Sequence, residues 1–185
     1  YSMQTLDDKV RRVLRLFFRM TMARRGHGSL CSDAHYQTAR RIADEGIVLL
    51  QNRGGVLPLD LSRRPTVLVV GENAIKMMTV GGGSSSLKAQ REISPLDGLK
   101  ARLKDVATVE YERGYVGDTT GAYNGVTTGQ DLTDSRSRQQ LIADAVAKAR
   151  KADYVIVVGG LNKSDYQDCE GHDRKEYGLP YGQDE

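Results

Sequence analysis

Two glycine-closed runs of aliphatic residues constrain this chain most: Thr66-Val67-Leu68-Val69-Val70-Gly71 and Tyr154-Val155-Ile156-Val157-Val158-Gly159-Gly160. A continuous β-branched run without polar alternation suits a strand covered on both faces, as the strands of a parallel sheet are. Between them Val106-Ala107-Thr108-Val109-Glu110-Tyr111 supplies a third, more alternating strand. Helical spacing fills the intervals, with Leu96, Leu99 and Leu103 after Pro95, and Leu141, Ile142, Ala145, Val146 and Ala149 facing inward over 136–151. The alanine-rich stretch 143–149 suits the second helix by propensity. Strand–helix–strand–helix–strand is the order of an α/β fold with a parallel sheet and right-handed crossovers. Three strands are fewer than a doubly wound sheet usually holds, so a partial sheet is expected, with 181–185 reading as the start of another helix.

Upstream, Leu6, Val10, Val13, Leu14 and Phe17 recur every three or four residues opposite Asp7, Asp8, Arg11, Arg12 and Arg15, which predicts an amphipathic helix. Gly26-His27-Gly28-Ser29 breaks the pattern, and Ser32 can cap a second helix with the stripe Ala39, Ile42, Ala43, Gly46, Ile47 and Leu50, expected to reach about Asn52 and to end at Gly54-Gly55. Residues 113–134, rich in Gly, Thr and Asn, are expected to form a loop.

Twenty-seven Lys+Arg against 24 Asp+Glu, mixed along the chain, leave +3, too little for a nucleic-acid footprint. The basic cluster Arg11, Arg12, Arg15, Arg19, Arg24 and Arg25 is the solvated face of the first helix. No apolar run approaches the roughly 20 residues of a membrane span. Neither the two cysteines nor the three histidines have metal-site spacing, so no metal or cofactor is expected. The N-terminal residues lack a signal pattern, which leaves a cytosolic chain or an excised piece of a longer one, and the excised piece is favoured.

Chemistry concentrates in Gln167-Asp168-Cys169-Glu170-Gly171-His172-Asp173-Arg174, which packs three carboxylates, a histidine and an arginine into eight residues just past the last strand. Open α/β sheets bind ligands at that end of their strands. The bland readings are that Asp173 and Arg174 tie the loop down, His172 is a surface residue and Cys169 a small buried filler. The loop Gly81-Gly82-Gly83-Ser84-Ser85-Ser86 lacks the GxxxxGK[ST] of a phosphate cradle, and Val70-Gly71-Glu72-Asn73 lacks the later glycines of a dinucleotide fingerprint.

Four motifs in order resemble glycoside hydrolase family 3: Ala43-Asp44-Glu45-Gly46-Ile47-Val48-Leu49-Leu50-Gln51-Asn52 with Leu57-Pro58-Leu59; Val69-Val70-Gly71-Glu72-Asn73-Ala74; Gly81-Gly82-Gly83-Ser84-Ser85; and Cys169-Glu170-Gly171-His172-Asp173-Arg174 with Leu179-Pro180. The helix around Asp7-Asp8-Lys9-Val10 is similar to the one that closes the family's barrel. The resemblance implies that 1–31 connects an absent N-terminal (β/α)₈ barrel to a C-terminal six-stranded α/β sandwich whose first half is 32–185. It further implies a retaining exo-glycosidase, a β-glucosidase before a β-xylosidase, acting on β-linked glycosides.

In that setting Glu170 is the general acid/base, the nucleophile lies on the barrel, Gly83, Ser84 and Ser85 border the cleft on the aglycone side, and Asp168, Asp173 and Arg174 support the loop. This chain by itself is expected to be inactive, and the location periplasmic or secreted. The rival readings are a non-catalytic carbohydrate- or partner-binding α/β module and a nucleotide-binding regulatory domain. The incomplete sheet could also pair with another copy through its open edge.

Overall fold

The computed structural model describes residues 1–23, 26–79, 84, 87, 89–117, 119, 122–123, 126–162, 167 and 173–184, with the backbone alone at 122–123 and 126–127. It divides into two compact units, Tyr1–Leu50 and Gln51–Glu185.

In the first unit, helix α1 spans Met3–Met22 and starts where the Ser2 hydroxyl accepts the Thr5 N–H, satisfying one of the free donors of a first turn. No residue of α1 is buried. Helix α2, Asp33–Gly46, opens with a capping box: the Ser32 hydroxyl accepts the His35 N–H, and His35 Nδ1 accepts the Ser32 N–H. It ends six residues short of the expected Asn52, because Gly46 weakens the last turn and Ile47 turns extended. Gly54 and Gly55, which belong to the second unit, therefore end no helix; they form a left-handed turn, closed by Asn52, whose side chain both donates to and accepts from the Leu57 backbone.

The second unit holds the sheet. Strand β1 is Thr66–Val70, β2 is Thr108–Glu112 and β5 is Tyr154–Val157. All pair in parallel in the order β2-β1-β5, so β1 is central, with Thr66 opposite Thr108 and Val67 opposite Tyr154. Central position is what the uniform apolar run of β1 requires, and Val67, Leu68 and Val69 are wholly buried. Each such burial is worth about 1.5–3 kcal/mol. Helix α3, Pro95–Leu103, begins with the Ser94 hydroxyl accepting the Asp97 N–H and a proline in its first turn, and places Leu96 and Leu103 in the core. Strand β2 starts two residues later than the expected 106, because the N–H groups of Val106 and Ala107 still donate to the Leu103 carbonyl of α3.

Three further expectations fail. Inside the expected loop 113–134 lies a small antiparallel hairpin, β3 at Ala122–Tyr123 and β4 at Val126–Thr127. Strand β5, read as covered on both faces, leaves Val155 and Val157 45% and 66% exposed, because it is the outer strand and nothing in the described chain packs on that face. Helix α4, Arg138–Ala149, buries Leu141 as expected but leaves Val146 exposed. Among the described residues no helix is long and apolar enough to cross a membrane.

Candidate functional site at the carboxyl end of the sheet

From β1 the chain goes through α3 to β2 on one side, and from β2 through α4 to β5 on the other. The carboxyl ends of β1 and β5 therefore lie side by side, and open parallel sheets bind their ligands at that end. The glycine–serine segment follows β1 and the acidic segment follows β5, so both sequence motifs leave the sheet from adjacent strand ends.

What roots them there is a buried polar layer. Gly71 has φ +125, and a Cβ on it would strike the Val158 carbonyl, so the glycine lets the two strand ends approach. The next residue, Glu72, is wholly buried. Its Oε2 accepts Arg113 Nη2 at 2.8 Å and the Gly117 N–H at 2.6 Å, and its Oε1 lies 3.9 Å from Lys76 Nζ. Arg113 also donates to the Leu132 carbonyl. Asn73, 2% exposed, donates through Nδ2 to the carbonyls of Gly160 at 3.3 Å and Leu161 at 3.5 Å, and accepts Asn162 Nδ2.

Two tyrosines brace the same layer. The Tyr111 hydroxyl donates to the Gly71 carbonyl, and the Tyr115 hydroxyl donates to the Val158 carbonyl while accepting the Asn73 N–H. Burial raises both phenols, that of Tyr115 to about 12, so both remain neutral donors.

Both excursions are closed at the base by side chains. Glu92 accepts the N–H groups of Met78 and Thr79 and the Thr79 hydroxyl, bridging the segment that contains the glycines and serines. Gln183 holds Gly160 by two hydrogen bonds across the segment that contains the acidic residues. Within that second excursion lies a pocket of about 270 Å³, lined by Gln167, Lys175, Glu176, Gly178, Pro180 and Tyr181.

Of the sequence-predicted residues, Glu170, Asp168, Gly83 and Ser85 lie outside the described residues, as do His172 and Cys169. Ser84 is exposed. Arg174 donates to the carbonyls of Tyr177 and Gly178, and Asp173 is exposed. Among the described residues no group of three His, Cys, Asp or Glu could hold a metal.

Sequence reasoning passed over Glu72, Arg113, Asn73, Asn162 and Gln183. Glu72 and Asn73 were legible in principle, as polar residues directly after a buried strand. Gln183 carries no local signal: Tyr181 and Gly182 both take left-handed angles, so the expected helix does not begin there and a single tight turn, Pro180–Gly182, forms instead.

Comparison with known proteins completes the picture. Residues 47–185 match the model of the glycosyl hydrolase family 3 C-terminal domain. The chain is 47% identical to the β-glucosidase BoGH3A of Bacteroides ovatus, over 99% of this chain and 24% of that protein. It is 30% identical to the periplasmic β-glucosidase of Salmonella typhimurium, over 86% of this chain and 23% of that protein. A solved β-glucosidase from Erythrobacter marinus superposes with a TM-score of 0.55 at 33% identity, over 80% of this chain and 19% of that one. The chain thus spans about a quarter of the length of the curated relatives it matches. The parallel sheet, the order of the motifs and these matches agree: the chain belongs to glycoside hydrolase family 3 and carries its β-glucosidase-like C-terminal domain.

Proposed function

We propose that this chain is part of a retaining, exo-acting β-glycosidase, a β-glucosidase before a β-xylosidase, in which Glu170 is the general acid/base and the nucleophile stands on an N-terminal (β/α)₈ barrel. Residues 1–31 connect that barrel to the sandwich, and 32–185 form the first half of the sandwich. The observation that carries the reading is the departure of both motif-bearing segments from adjacent carboxyl ends, β1 and β5, over one buried polar layer.

Retention requires two carboxyl groups about 5–5.5 Å apart on opposite faces of the sugar, one attacking and one first protonating the leaving oxygen and then deprotonating water. A cleft between two domains brings such groups around a pyranose, which one loop does not do. The acid needs a raised pKa, and burial of Glu170 against the barrel with Asp168 or Asp173 nearby would supply it. Gly83, Ser84 and Ser85 border the aglycone side, and Asp168, Asp173 and Arg174 support the loop, the last through its bonds to Tyr177 and Gly178. Without the barrel the chain binds no complete substrate and turns over no glycoside.

The similarity to a periplasmic relative supports a periplasmic or secreted location, which fractionation of the producing cells tests.

In the complete protein, Glu170→Gln slows hydrolysis of alkyl β-glucosides by about 10²–10⁴-fold, the usual worth of general acid catalysis, and of dinitrophenyl β-glucoside far less in the glycosylation step, since that leaving group needs no proton. Azide restores turnover of Glu170→Ala with the activated substrate. Equal losses on both substrates, with no azide rescue, would leave Glu170 a ligand-holding residue of a non-catalytic binding module.

A further inference from the structure

We propose that the amino edge of the sheet, the end opposite the candidate site, binds an acidic polysaccharide through a strip of unpaired cations. This goes beyond the function proposed above and does not depend on the role of Glu170. All the residues concerned belong to the second unit.

At this edge the strands start and the helices stop. The Thr66 N–H donates to the Asp153 carboxylate, the Asp153 N–H to the Thr66 carbonyl, and the Thr108 N–H to the Pro65 carbonyl. The chain entering β1, the end of α3 and the end of α4 are gathered there, since Leu103 leads directly to Thr108 and Ala149 to Tyr154. Arg63 and Arg64 stand before β1, Lys100 and Arg102 in the last turn of α3, and Arg150 and Lys151 just after α4. All six are exposed, and among the described residues none forms an ion pair.

The carboxylates of the same edge are engaged. Asp60, whose own N–H donates to the Tyr154 hydroxyl, accepts the Ser62 N–H; Asp153 accepts the Thr66 N–H; Asp105 lies 4.0 Å from Lys104. At the carboxyl edge, by contrast, Arg113, Arg136 and Lys148 are each held by a carboxylate. The small net charge of the chain thus conceals a local excess: with Lys104, seven cations stand against the three carboxylates Asp60, Asp105 and Asp153.

Cations near helix C-termini complement the helix dipole, which accounts for Lys100, Arg102 and Arg150. It does not account for Arg63 and Arg64. Arg64 has φ 50 and precedes Pro65, a setting in which a non-glycine residue is strained. Its N–H donates to the Leu61 carbonyl at 3.2 Å, closing a turn that places two consecutive guanidinium groups ahead of the central strand.

Helices α3 and α4 lie on opposite faces of the sheet. Val109 and Tyr111 of β2 pack with Leu96 and Leu99 of α3, whereas Glu112 takes Arg136 and Lys148 on the side of α4. The six cations therefore form a strip across three layers, which suits a linear polyanion. Four of them are arginines, whose guanidinium meets a carboxylate at two points. A surface that enters lipid carries large apolar side chains beside its cations. Among the described residues at the starts of the strands, the exposed apolar side chain is Val106, at 38%. A member of a glycoside hydrolase family works among glycans, and a chain of uronic acids is the glycan with a carboxylate on every unit. Binding at this end leaves the carboxyl edge open to substrate.

The test titrates the complete protein with polygalacturonate, with a neutral cellulose ether as control, at about 0.02 M and 0.15 M salt. Parent binding is expected at the lower salt and to weaken about 10-fold or more at the higher. Arg63→Glu with Lys100→Glu and Arg150→Glu, one cation from each layer, weakens it by about 10-fold or more at low salt, as three exposed pairs lost together would. Its melting temperature and its rate on dinitrophenyl β-glucoside stay close to those of the parent. Arg11→Glu with Arg15→Glu and Arg19→Glu on α1 changes the net charge equally and leaves binding as in the parent.

Salt-independent binding, equal binding of the neutral ether, or equal losses in the two triple variants overturn the proposal. Absence of polygalacturonate binding also overturns it, and phosphatidylglycerol vesicles that bind the parent but not the first triple variant would then assign the edge to a membrane surface.

Discussion

Arg113 shows how much of this fold depends on one charge. Its guanidinium meets Glu72 at 2.8 Å, with both side chains nearly excluded from water at 8% and 0% exposure. Among the described residues Arg113 Nε and Glu72 Oε1 have no hydrogen-bond partner, so the network around the pair is only partly satisfied. Removing one member of a buried pair strands the other, at a cost of about 3–5 kcal/mol. Arg113→Ala should therefore lower the urea midpoint sharply. The triple replacement Glu72→Leu, Lys76→Met and Arg113→Met should cost less than Arg113→Ala alone, since it removes all three of these buried charges together. A triple variant less stable than the single would assign the Arg113→Ala loss to packing instead.

At the next level up, the approach to α4 is set by a second ionic cluster. Arg136 pairs with Asp134 at 2.9 Å, Glu112 at 2.7 Å and Asp144 at 2.8 Å, and Lys148 reaches Glu112 at 2.9 Å. The hydrogen bond from the Arg136 side chain, followed by that from its backbone N–H, holds Asp134 down at about 2. Burial pushes Glu112 up, but hydrogen bonds from Lys148 and Arg136 outweigh it and the net shift is downward. A carboxylate whose folded pKa lies below its unfolded value stabilises the fold above the unfolded value, near 3.8 for Asp134, and loses that contribution as pH falls toward the folded one. Asp134→Asn should therefore lower Tm at about pH 6, with the gap to the parent closing between about pH 4 and pH 2. A gap independent of pH would show that the carboxylate charge contributes nothing.

Element boundaries show where local reading stops working. The starts of α2 and α3 were legible, the first from its cap Ser32 and the second from Pro95 in its first turn, whereas α4 was expected from 136 and begins at Arg138 after its cap Ser137. The end of α2 and the start of β2 were not. Ile47 continues the apolar spacing of α2 although its backbone is extended, and Val106 suits a strand although its N–H completes α3. Composition does not distinguish those outcomes, and backbone hydrogen bonding does.

For the molecule as a whole, the decisive asymmetry is that β1 is covered on both faces and β5 is not. Val155 and Val157 form an exposed apolar face on an outer strand whose far edge has no partner among the described residues. Such an edge is a template for pairing. The 185-residue chain prepared by itself should associate with rising concentration in sedimentation experiments, and Val155→Lys with Val157→Lys should suppress this while leaving the melting temperature close to that of the parent. A chain that stays monomeric at high concentration would mean that its own segments protect the edge.

Periodicity, caps and motif order were enough to establish an α/β chain of three parallel strands and its membership of family 3, because each is written within a few consecutive residues. They did not establish that β1 lies between β2 and β5, or that Glu72 meets Arg113 from 41 positions away and Gln183 meets Gly160 from 23. Those pairings leave no periodic trace. They come from burial at the strand ends, where a polar group shut away from water must find a partner wherever the fold brings one.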